Sequence, residues 1–169
     1  HTRLRTVTGV QTCALPILTV SRGIEIDGEL SFLSGGGTVQ LSGDWLLNGT
    51  FTPGTGKVRF FGSNSQSISG STTFNDFIVN KSSGTLTFNS DCPINSNFTD
   101  SSGTIDIGSK SINGSGTDTF YLGNSAYFKI GGTAIFPSNY SIFNLASGST
   151  VEYYGSSQTI SNITYGNLT

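Results

Sequence analysis

The sequence predicts an all-β chain: a right-handed parallel β-helix, or β-solenoid, built from repeats of about 47 residues. Three observations lead there. The chain repeats itself without gaps at an offset of 47, residues 38–60 (TVQLSGDWLLNGTFTPGTGKVRF) lying over 85–107 (TLTFNSDCPINSNFTDSSGTIDI). Its apolar residues alternate with polar ones in short runs bounded by Gly, Ser and Asn, the mark of strands joined by tight turns. Charged residues make up 11% of a chain that carries 23 glycines, a composition unusual for a compact enzyme and suited to many short strands.

Each part of the repeat supports this fold in turn. Leu41/Phe88, Trp45/Cys92, Leu47/Ile94, Phe51/Phe98 and Val58/Ile105 conserve apolar character between the first two copies, and Asp44/Asp91 and Gly56/Gly103 conserve turn chemistry. A third copy begins at Thr133, with Phe136, Tyr140 and Ile142 in step. VRFFGSNSQSISGSTTFNDF (58–77) corresponds to VEYYGSSQTISNITYGNL (151–168) with two single-residue deletions, pairing Gly62 with Gly155 and Gln66 with Gln158. The units run roughly over 38–84, 85–132 and 133–169, preceded by part of another from Leu18. The best strand segments are 38–41, 57–61, 74–79, 85–88, 104–107, 126–130 and 151–154. Gly37, Gly56, Gly84, Gly103 and Gly132 stand 19, 28, 19 and 29 apart, which suggests two unequal coils per unit. A β-propeller with one blade per unit shares the period, but each unit holds more strands than a four-stranded blade.

The opening is of another kind. Val7 to Ile17, VTGVQTCALPI, is the translation of a common short-read sequencing adapter, so residues 1–17 are set aside as an adapter-derived, non-native leader and 18–169 are read as a fragment of the solenoid. Without the leader there is no histidine, Cys92 is the one cysteine, and six basic residues face ten acidic ones, a net charge of −4. No basic cluster marks a nucleic-acid footprint, and no apolar stretch approaches a membrane span.

Several residues invite a chemical role. Cys92 and Trp45 occupy one repeat position, shared with Tyr140 and two residues before Leu47, Ile94 and Ile142, so each pair shares a strand face; that position reads as core, and without histidine the usual activation of a thiol or hydroxyl is missing. In the doublets Phe60-Phe61 and Tyr153-Tyr154 one ring must point outward, which makes Phe61 and Tyr154 candidates for stacking on carbohydrate. Glu25 and Asp27 could offer oxygen ligands to calcium. Asp91, Asp100 and Asp106 are the conceivable carboxylates of a polysaccharide-cleaving site, although the repeated Asp44 and Asp91 read as turn residues bonding their own backbone. Rows of Thr85 and Thr87 would suit an ice or mineral surface if they kept register over several coils. The residues therefore assign no catalytic group, cofactor or metal.

The runs GDWLLNGTFTPGTGKVRFFG and VEYYGSSQTISNITYGNLT resemble the repeat regions of large surface proteins of Bacteroidota, of the kind exported by type IX secretion. The resemblance spans most of 43–169. It implies an extracellular or cell-surface location and a structural, adhesin-like role, with surface polysaccharide or another cell-surface component and the flanking repeats of the parent chain as partners, and it brings no catalytic residues. The alternative is a carbohydrate-binding or polysaccharide-cleaving β-helix module.

Overall fold

A computed structural model describes residues 11–13, 17–32 and 36–169. They form a parallel β-helix. Every ladder is parallel, and no helix occurs among the described residues, so none is long and apolar enough to cross a membrane. Antiparallel propeller blades are thereby excluded.

The chain winds round three faces. On the first face lie Ile17–Val20, Thr38–Leu41, Lys57–Gly62, the leading halves of Asp76–Phe88, Phe98–Asp106 and Thr119–Ile130, and Ile142–Leu145. The second takes Ile24–Ile26, Trp45–Leu47, Gln66–Ser69, the trailing halves of the same three long strands, Thr150–Tyr153 and Asn167–Leu168. The third holds Gln11–Cys13, Glu29–Phe32 and Thr50–Thr52, then continues through the Phe74–Ile94 bridge and single backbone bonds such as Cys92 N–H to Ser111 O, 2.9 Å. Within the segment set aside as a leader, Gln11–Cys13 pairs with Leu30 to Phe32; an open strand edge accepts extended backbone whatever its side chains. Residues 1–10 and 14–16 of that segment lie outside the described residues.

Alternation places every second residue inside, and stacking in register turns those positions into columns. On the first face one column runs Leu18, Val39, Val58, Phe77, Phe98, Phe120, Phe143, one residue from each of seven coils. It changes from aliphatic to aromatic at Phe77. Leu18 and Val39 are 21 residues apart, Val39, Val58 and Phe77 are 19 apart, and the later steps are 21, 22 and 23. Phe77, Phe98 and Phe120 stack nearly parallel, with centroids 5.7 and 4.4 Å apart. The companion column reads Val20, Leu41, Phe60, Val79, Asp100, Leu122, Leu145.

The expected pair of unequal coils per unit is not what the chain builds. Gly37 to Gly56 and Gly84 to Gly103 are each one coil, but Gly56 opens the first face and Gly84 the second, so the 28-residue interval is one coil plus one face. The 47-residue offset behaves likewise. From Val58 the first face climbs through Phe77 to Phe98, and Ile105 lies beyond the corner on the second face: two coils and one face further. Ile105 to Val151, by contrast, stays on the second face through Phe128.

The three long strands carry the chain round the first corner without leaving the sheet, at register shifts after Asn80 and after Asp100. Gly103, at φ 117°, makes the bend of the second of them. A Cβ there would meet Lys81 Cβ at 2.7 Å, so close packing and a left-handed backbone both require glycine.

Candidate functional site

The two rings expected to face outward do so unequally and lie far apart. Phe60 is wholly buried, whereas Phe61 is half-buried on the first face beside Asn80, with the Arg59 guanidinium 5.9 Å from its centroid. Tyr154 follows the end of the second face four coils later and is 47% exposed. Its ring rests against Gly131, where an added Cβ would lie 2.4 Å from it. The hydroxyl donates to Asp106 Oδ1 at 2.9 Å, and Lys129 Nζ sits 4.9 Å from the ring centroid while pairing with Glu152 at 3.4 Å. Burial, then the Asp106 carboxylate, push the phenol up to about 12. Tyr154 is thus tethered across coils rather than standing free.

The carboxylates are distributed as ties. Asp44 accepts from Ser67 N–H at 2.7 Å and from its hydroxyl at 3.0 Å, and Asp91 accepts from Ser111 N–H at 2.8 Å. The repeat aligned these two acids, and they do share a role, but each caps an amide of the following coil instead of its own turn. Asp106 makes the local bond, accepting from Gly108 N–H at 2.8 Å. Glu25 and Asp27 are bridged by one Asn48 amide from the next coil, at 3.4 and 2.8 Å. Asp91, Asp100 and Asp106 do not converge: Asp91 stands at the turn toward the third face, Asp106 outward on the second, and Asp100 inside. No group of three or more His, Cys, Asp or Glu side chains that could hold a metal ion occurs among the described residues.

Trp45, Cys92 and Tyr140 are all interior. The Trp45 indole donates to Thr72 Oγ1 at 3.1 Å and the Tyr140 hydroxyl to Ile112 O at 2.9 Å. Burial pushes the Cys92 thiol up to about 12, leaving it protonated and inert at neutral pH.

Three features escaped sequence reasoning, the first being the burial of the candidate carboxylate Asp100. Asp100 is 0% exposed between Val79 and Leu122, and no hydrogen bond of ordinary geometry reaches either carboxylate oxygen. Burial pushes its pKa up to about 8, the Ser102 N–H exerting only a partial opposing pull. Lys81, 2% exposed, turns inward at the corner and donates to Asn64 O at 2.7 Å and Gln66 Oε1 at 2.6 Å, while Gln66 Nε2 donates to Leu41 O and Gly43 O of the coil before. Gln158, its repeat partner, similarly donates to Ile130 O and Ala134 O. Above Lys81 an open cleft of about 370 Å³ is walled by turns 81–84 and 102–104 with Ser125 and Tyr127. A search at the coil spacing would have found it, because SSGT at 82–85 recurs at 101–104.

The Ser/Thr rows are short. Ser65, Thr85 and Thr104 stack over three coils before Tyr127 interrupts, and the row of Thr87 passes at once to Asp106 and Lys129.

Comparison of the chain with protein-family models, curated proteins and solved structures finds no match.

Proposed function

We propose that the chain is a non-catalytic structural or adhesive segment of a secreted or cell-surface protein, set among flanking repeats of its parent chain and facing surface polysaccharide or another cell-surface component. One observation carries the structural half: the polar side chains best placed for chemistry are engaged in fastening coil to coil, as Asp44, Asp91, Asn48 and Gln66 each bond the neighbouring coil. A segment organised in this way extends by adding coils, since each contacts only its neighbours. The location and the adhesive half draw on the resemblance to exported Bacteroidota repeats.

Reading the parent gene beyond both ends of this chain tests the proposal. Further coils of about twenty residues with the same inward columns are expected. A reading frame in which these few coils adjoin a catalytic domain would instead make them an accessory module. A second reading, a carbohydrate-binding module, is favoured by the hydroxyl-lined cleft with Tyr127 in its wall.

A further inference from the structure

The cleft on the corner between the first and second faces is formed by backbone turns of two coils and closed by Ser125 and Tyr127 of the next. Its volume of about 370 Å³ is at the lower end of the range for small-molecule sites. Ser83 and Ser102 already spend their hydroxyl protons inside the protein, on Ser63 O and on Asn80 Oδ1 and Lys81 O. The side-chain hydroxyls of Ser82, Thr104 and Ser125 make no hydrogen bond among the described residues, so each presents a donor and acceptor to whatever enters. Tyr127 stands level with Thr104 in the adjacent coil and supplies an aromatic surface.

Charge narrows the ligand. No carboxylate lines the cleft, and Lys81 is its one charged residue. The Lys81 ammonium is occupied by Asn64 O and Gln66 Oε1, leaving one of its three donors. A sulfate, phosphate or acidic sugar would find a single, already engaged cation and no second. Free hydroxyls beside an aromatic ring match an uncharged ligand with many hydroxyls and an apolar C–H face.

We infer that this corner cleft binds a neutral sugar residue of a polysaccharide, with Ser82, Thr104 and Ser125 hydrogen-bonding its hydroxyls and Tyr127 stacking on its C–H face. The inference rests on the adhesive reading above and names the chemistry of its partner. The site differs from Phe61 and Tyr154 in being concave.

Titrating the full ¹⁵N-labelled chain with the methyl glycosides of glucose, galactose and mannose, and separately with sulfate, tests it by NMR. At least one glycoside should give saturable shifts at the amides of Gly84, Ser102, Gly103 and Thr104. Tyr127→Ala should weaken that binding about tenfold with an unchanged circular dichroism spectrum, while Tyr127→Phe, which keeps the ring, should stay within about threefold. The inference is overturned if no glycoside gives saturable shifts, if shifts fall elsewhere and survive Tyr127→Ala, or if sulfate binds in place of the sugars. Those failures would leave the structural role untouched, since that stands or falls on the parent reading frame.

Discussion

Asp100 is the residue most at odds with its surroundings, a carboxyl in a column of Val, Leu and Phe. With a folded pKa of about 8 against an ordinary 3.8, the native state holds a proton that the unfolded chain has released. Its stabilising contribution is therefore full below about pH 4 and is lost as pH rises through 8. Asp100→Leu, which completes the column, should raise the melting temperature most at high pH; the difference between variant and parent should grow by on the order of 10 °C between pH 5 and 9. A difference that stays constant with pH would show that the carboxyl is solvated in solution. The sequence hid the interior position of this residue for a definable reason. At the repeat offset Asp100 falls opposite Pro53, in a turn, whereas at the coil offsets of 21 and 22 it falls opposite Val79 and Leu122. Trp45 and Cys92 were legible as core because alternation alone places them inside.

Among the strands and corners, the inter-coil ties carry the next expectation. Gln66→Leu removes an acceptor from the buried Lys81 ammonium and a donor from two carbonyls, and should cost about 3 kcal/mol in denaturant unfolding. Adding Lys81→Met should recover much of that loss, because the stranded charge is gone. Gln158→Leu should cost less, since its Oε1 serves only the Gly155 amide. Equal costs for the two glutamines would mean that the charge adds nothing. In the aromatic column, Phe98→Ala should cost about 3–5 kcal/mol, as the ring is stacked against both Phe77 and Phe120. The predicted segments 74–79 and 85–88 proved to be one strand, Asp76–Phe88, because Gly84 and the serines before it read as a break in one dimension while a corner keeps its ladder in three.

Across the whole molecule, stability should decline from the middle outward, because inner coils are covered on both sides and end coils on one. Amide exchange should be slowest in Phe98–Asp106 and Thr119–Ile130, and fastest in Ile17–Val20 and in 155–169, where Ile160 and Leu168 are exposed. Uniform protection along the chain would contradict a coil-by-coil solenoid. Isolated chains should also associate or fray through these ends, which the concentration dependence of sedimentation would report. That the fold was a parallel solenoid could be read from the repeat, but not how the repeat wraps, since wrapping depends on coil length, and no pairing partner is written in the sequence. The wrapping matters for evolution by duplication. With short corners, one copied unit of 47 residues advances the chain by two coils and a face, so whatever it displays outward reappears rotated by a third of a turn, and successive copies form a spiral. With coils of 23, as between Ile105 and Val151, the copies fall into phase and form a stripe. Two or three residues gained at corners, far from any ligand, are then enough to convert a molecule that presents a feature in all directions into one with a single sticky side.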